Sequence, residues 1–156
     1  VNADVVYVLN APMMRSLDGG RSFANIRVGH GDTHDLWINP KNNQNLALAD
    51  DGGGEITYNT GRTWSPINNQ ATAQFYRVIA DNRFPYWVYG GQQDNSSVAT
   101  PSRNGSFGIT DKDWINGPGC ESAWVAFDNP NDPQLLFGGC YQGQIDVLDL
   151  RTGETK

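Results

Sequence analysis

Apolar residues in this chain come in short runs separated by glycine, asparagine and aspartate, and no helical periodicity persists beyond two turns. Runs such as Val5-Val6-Tyr7-Val8-Leu9 and Gln74-Phe75-Tyr76-Arg77-Val78-Ile79 read as strands between turn signals. The pattern predicts an all-β chain with almost no helix.

Two signals recur along it. The first is a strand, an Asn-centred turn, and a strand ending in small residues. Leu36-Trp37-Ile38-Asn39-Pro40 leads to Leu46-Ala47-Leu48-Ala49-Asp50. The unit returns at Arg77 to Asn82 with Tyr86 to Gly91, and at Val125 to Pro130 with Leu135 to Gly139. Its asparagines Asn39, Asn82 and Asn129 lie 43 and 47 residues apart, the spacing of a four-stranded propeller blade. The second signal is a turn, Ser16-Leu17-Asp18-Gly19-Gly20-Arg21-Ser22-Phe23, repeated 41 residues later as Thr57-Tyr58-Asn59-Thr60-Gly61-Arg62-Thr63-Trp64. Asp18 and Asn59 are expected to tie these turns through side-chain to backbone bonds, with Phe23 and Trp64 packed between sheets. A fainter copy runs Ser102 to Phe107, and Asp149 to Glu154 is a plain strand-turn-strand signal. The units expected are a partial blade over about 1–28, whole blades over about 29–72 and 73–118, and a fourth begun at about 119 and running to 156. Propellers close with about four to eight blades, so this partial ring reads as a piece of a longer chain.

With both signals in place, the chain resembles the bacterial BNR/Asp-box propellers related to the sortilin ectodomain and to xyloglucanase-type glycosyl hydrolases. The resemblance rests on His30 to Pro40 (H-G-D-T-H-D-L-W-I-N-P), Ala49 to Gly53, Thr57 to Trp64, Thr72 to Val78, Asp81 to Asn95 and Gly119 to Ser122. Cys120, where a small residue is expected, and Asn59, where the Asp-box usually has aspartate, depart from it. In Asp-box terms the structural residues are Ser16, Asp18, Gly20, Ser22 and Phe23, then Asn59, Gly61, Thr63 and Trp64. The resemblance implies a large secreted or periplasmic protein. It does not imply an activity, because in the xyloglucanase-type enzymes the two catalytic carboxylates face a cleft between two propellers.

Composition narrows the partners. The net charge is −6, with only three lysines among 11 basic residues and no basic run, which argues against nucleic acid. No apolar run approaches the ~18 residues of a helical membrane span. No cofactor is implied.

The densest chemistry is His30-Gly31-Asp32-Thr33-His34-Asp35. If this run is extended, His30, Asp32 and His34 share one face. They then either ligate a divalent metal, line the mouth of a channel as a ligand site, or form a hydrogen-bonded network fixing the innermost strand. Asp32, Asp35, Asp94 and Glu121 are the acids a glycosidase would draw on, at ~5–5.5 Å for retention or ~6.5–9.5 Å for inversion. Arg27, Arg77 and Arg83 carry no mark of a carboxylate-binding triad. Asp50-Asp51-Gly52-Gly53-Gly54-Glu55 reads as a tight turn, with calcium as the rival. Cys120 and Cys140 fall opposite one another if the hairpin is centred on Pro130, which predicts a disulfide and an oxidising compartment. Trp37, Trp64, Phe75, Tyr76, Trp87, Tyr89, Trp124 and Phe127 are expected mostly in inter-blade cores, with Trp114 exposed.

The sequence therefore favours a non-catalytic secreted or periplasmic propeller module that binds or scaffolds a protein or polysaccharide. The remaining blades would come from the same longer chain. The alternatives are a segment of a xyloglucanase-like glycoside hydrolase and a subunit of an extracellular surface assembly.

Overall fold

The computed structural model describes residues 2–68, 70 and 72–156, which form two compact units, 1–72 and 73–156. Among the described residues every regular element but one is a strand. The exception is a single 3₁₀ turn, Tyr141–Gly143. Asp, Asn and Gly offer the backbone local hydrogen bonds and bends, which disfavour helix interiors.

The first unit holds two three-stranded antiparallel sheets. One orders β1 (Val6–Val8), β2 (Met13–Ser16) and β3 (Ala24–Ile26); the other orders β4 (Thr33–Ile38), β5 (Leu46–Asp50) and β6 (Gly53–Thr57). Side chains alternate along β5, so Leu46, Leu48 and Asp50 point inward and all three are buried. Met13 and Leu48 belong to the core of this unit.

The second unit holds two four-stranded antiparallel sheets. β7 (Phe75–Ala80), β8 (Trp87–Gln92), β9 (Ser97–Pro101) and β10 (Ile115–Asn116) make one. β11 (Val125–Phe127), β12 (Leu135–Gly139), β13 (Ile145–Asp149) and β14 (Glu154–Thr155) make the other. Tyr89, Ala99, Ala123, Val125, Leu136 and Leu148 form its core, with the Tyr89 and Phe127 rings 5.7 Å apart. Four successive antiparallel meanders of three or four strands define the class: an all-β chain, a β-propeller segment built of blades.

The repeated turns have one hydrogen-bond plan. Ser16 Oγ donates to Asp18 Oδ1 (2.7 Å) and accepts Gly20 N (2.8 Å), while Asp18 Oδ1 accepts Ser22 N (2.9 Å). Thr57 Oγ1 donates to Asn59 Oδ1 (2.9 Å) and accepts Gly61 N (3.1 Å), while Asn59 Oδ1 accepts Thr63 N (3.0 Å). Gly20 and Gly61 both sit at positive φ, +88° and +82°, where a Cβ is strained. The closing aromatics differ from expectation. Phe23 is 43% exposed, and Trp64 is half-buried with its ring under Gly61. The stretch Ser102 to Phe107 makes a different turn, centred on Asn104, with Phe107 fully exposed.

Cys120 and Cys140 are disulfide-bonded, with Cα atoms 5.1 Å apart, but not by the route expected. The register Val125↔Gly138 places Gly143, not Cys140, opposite Cys120. Instead, the segment before β11 folds back over the end of β12, where Cys120 N donates to the Gly139 carbonyl (3.3 Å). That crossing is tight, because a Cβ on Gly138 would collide with the Pro118 carbonyl.

Candidate functional site

The structure does not array His30, Asp32 and His34 on one face. The strand begins only at Thr33, Asp32 sits at φ +53°, and the β4–β5 register shifts between Thr33 and Asp35. The cause is the loop after β1. Asp32 N donates to the Ala11 carbonyl and Thr33 N to the Asn10 carbonyl, both at 3.0 Å, which pins the turn before β4 can extend. His30 packs on Gly52, and its Nδ1 lies 3.0 Å from the Gly31 carbonyl. His34 Nε2 lies 2.5 Å from Asp51 Oδ1. Among the described residues no three His, Cys, Asp or Glu side chains form a metal-binding group.

The acids proposed from sequence are dispersed. Asp32 and Asp35 are exposed in the first unit. Asp94 and Glu121 belong to the second, where Glu121 Oε2 accepts the backbone N–H of Asp94 at 2.7 Å. Asp94 sits at φ +62°, so this carboxylate braces a turn. Several of the expected core aromatics lie outside. Trp37 is 57%, Phe75 42%, Tyr76 52% and Trp124 62% exposed, whereas Trp114 is half-buried. Every residue of β7 but Ile79 is exposed, and Trp124 takes the Arg77 guanidinium over its ring at 4.8 Å.

Two constellations escaped the sequence reading. The first is Asp50 with Glu55. The tight turn predicted here exists as the Asp51-Gly52 link of the β5–β6 hairpin, and of its three glycines only Gly53 has positive φ (+141°). Glu55 is 2% exposed, Asp50 is 8% exposed, and their carboxyls lie side by side. Glu55 Oε1 accepts the Gly29 N–H at 2.6 Å, and Asp50 Oδ1 accepts Gly52 N at 3.0 Å. Burial, opposed by the Gly29 bond and reinforced by Asp50, pushes the Glu55 carboxyl above its ordinary value. Asp50 Oδ2 is buried with no hydrogen-bond partner among the described residues, and a proton on Glu55 would supply the missing donor. The signal was present in sequence. Gly53, Glu55 and Thr57 share one strand face, and Glu55 is one of only three glutamates.

Glu55 forms part of the wall of an open cleft of about 370 Å³. The loop after β3 (Arg27, Gly29) and the segment after the second repeated turn (Arg62, Trp64, Ile67) supply the rest. Ser65 holds that segment against β6, its N–H on the Ile56 carbonyl (2.9 Å) and its Oγ accepting Ile56 N (3.0 Å).

The second constellation is Asp81, Arg83 and Tyr89. Arg83 Nε donates to Asp81 Oδ2 (2.6 Å), Tyr89 OH donates to the same oxygen (2.7 Å), and Arg83 Nη2 donates to Tyr89 OH (2.7 Å). Burial raises Asp81, but the bonds from Trp87 N, Tyr89 and Arg83 outweigh it and hold the carboxyl low. Burial and the Asp81 bond push the Tyr89 phenol well up. These groups satisfy one another and so fix the β7–β8 hairpin; they leave little spare for a reactant.

No protein-family model and no curated protein matches the chain. Solved structures similar to it include YCF48 from Cyanidioschyzon merolae, 12% identical with a TM-score of 0.35, over 95% of this chain and 52% of that one. A GH74 enzyme from Niastella koreensis is 20% identical with a TM-score of 0.37, over 99% of this chain and 28% of that one. An ancestral GH74 enzyme is 11% identical with a TM-score of 0.35, over 95% of this chain and 22% of that one. The chain thus spans about half or less of the proteins it matches. At these scores the fold assignment rests on the sheets themselves, and function must be argued from sites.

Proposed function

We propose that this chain is a non-catalytic propeller segment of the Asp-box kind, exported from the cytoplasm and serving to bind or scaffold a protein or polysaccharide. The use made of its acids carries this reading. Ser22 holds Asp18 down to about 2, and the Arg151 guanidinium does the same for Asp149. Backbone N–H groups of Thr110 and Gln134 likewise lower Asp113 and Asp128. Acids tied into turns in this way are poor proton donors at neutral pH. Among the described residues the one carboxyl pushed upward, Glu55, is 2% exposed and already accepts the Gly29 N–H, so it too is spent within the fold.

The Cys120–Cys140 bond favours an oxidising compartment, and no helix among the described residues is long and apolar enough to cross a membrane. The exposed Trp37 and Trp124 fit a chain whose further blades cover them. Affinity electrophoresis on a polysaccharide panel, run beside a reducing-end release assay, tests the function. Retardation without release supports a binding module; release of reducing ends overturns it in favour of a hydrolase. The mass of the natural polypeptide separates a longer propeller from a subunit that borrows blades from another chain.

A further inference from the structure

The cleft of the first unit has more hydrogen-bond donors than the protein uses. Arg27 and Arg62 both line it, and neither makes an ion pair or side-chain hydrogen bond with the described residues, in a chain of net charge −6. Trp64 lines it too, and its Nε1–H is buried with no acceptor among the described residues. A buried donor without a partner is uncommon and costs stability. The other polar side chains around the opening are Thr63, Ser65, Asn68 and the nearly buried Glu55.

We infer that this cleft is a binding site for an acidic saccharide, a uronate unit whose carboxylate pairs with Arg27 and Arg62 while its ring lies along Trp64. The proposal deepens the module reading above and rests on it. Each feature has a chemical counterpart in such a ligand. Guanidinium forks match a planar carboxylate in bidentate geometry. An aromatic side with a few hydroxyl and carboxyl groups suits a pyranose ring, which is apolar on its faces and hydroxylated at its rim. The volume, about 370 Å³, falls in the ~300–1,000 Å³ range of small-ligand pockets. A singly charged carboxylate fits better than a phosphate or sulfate ester cluster, because the Glu55 carboxyl in the cleft wall penalises a second negative charge.

The test is titration calorimetry of the full chain with galacturonate or glucuronate oligomers, their methyl esters, the neutral parent oligomers and an acidic peptide of equal charge. Uronate oligomers are expected to bind, their methyl esters and neutral parents about tenfold more weakly or not at all. Arg27→Ala and Arg62→Ala should each weaken uronate binding by about tenfold, the scale of one charge-assisted hydrogen bond. Neither guanidinium has a partner among the described residues, so the variants should keep the native melting temperature, and Arg27→Lys should recover part of the affinity. Equal binding of ester and acid, unchanged affinity in both alanine variants, or tighter binding of the acidic peptide would each overturn the site. Retardation by neutral polysaccharide with no uronate binding would overturn the site and leave the module reading standing. Reducing-end release would overturn the module reading whatever the titrations give.

Discussion

Asp18 and Asn59 hold two copies of one turn through the same oxygen, yet their second contacts run in opposite directions. Asp18 Oδ2 accepts the Ser22 hydroxyl at 2.6 Å, whereas Asn59 Nδ2 donates to the Thr63 hydroxyl at 2.8 Å. The amide keeps the geometry and discards the charge. One turn therefore depends on ionisation and the other does not.

Ser22, by donating both hydroxyl and backbone bonds, lowers the Asp18 carboxyl to about 2 from an ordinary 3.8. The stabilisation it gives is complete above about pH 4 and fades as pH falls through about 2. Amide exchange across residues 16–23 should accelerate over that interval while residues 57–64 remain protected. Asp18→Asn should remove the difference, and equal acid sensitivity of both turns would contradict this account.

Glu55 has the opposite sign. Its carboxyl is held above 4.5 in the fold, so the native state loses stability as pH rises from about 4.5 through the folded value. Glu55→Gln preserves an acceptor for Gly29 N and offers Asp50 a permanent donor. Urea midpoints of this variant should vary less with pH and exceed those of the parent near neutrality, by on the order of 1 kcal/mol for each pKa unit of elevation.

Tyr89 is 1% exposed, and its hydroxyl bridges Asp81 and Arg83. Tyr89→Phe leaves the ring in the core but removes one of the bonds that satisfy the buried Asp81. A loss of about 1–3 kcal/mol in denaturant titration is expected. Arg83→Ala, which strips a buried carboxylate of its cation, should cost more, about 3–5 kcal/mol.

Cys120 and Cys140, 20 residues apart, close a loop whose cross-link should contribute about 3 kcal/mol. Reduction, or the double change to serine, should lower the denaturation midpoint accordingly. Thiol titration of the unreduced, unfolded chain should find no free thiol.

Strand positions were legible because the signals for them are local. Leu46-Ala47-Leu48 alternates within a few residues, and Asn39 and Asn129 mark their turns through side chains that bond two residues ahead. The disulfide was legible for an incomplete reason. Two cysteines flanking one hairpin must lie near each other, but the register Val125↔Gly138 and the fold-back of the segment before β11, through which they meet, are encoded by no local pattern.

The candidate site was less legible. His30, Asp32 and His34 have the spacing of a common strand face, but Asp32 and Thr33 bond to the loop at Asn10 and Ala11, Asp32 turns to positive φ, and the β4–β5 register shifts after Thr33. Composition, turn chemistry and the alternation of small sheets were determined by the sequence itself, since each follows from interactions between near neighbours in the chain. Tertiary structure decided that Glu55 is buried beside Asp50, and that Arg27, Arg62 and Trp64 border one cleft. Those meetings join residues from separate strands and turns, where packing across the chain, not spacing along it, determines which groups share solvent, charge and protons.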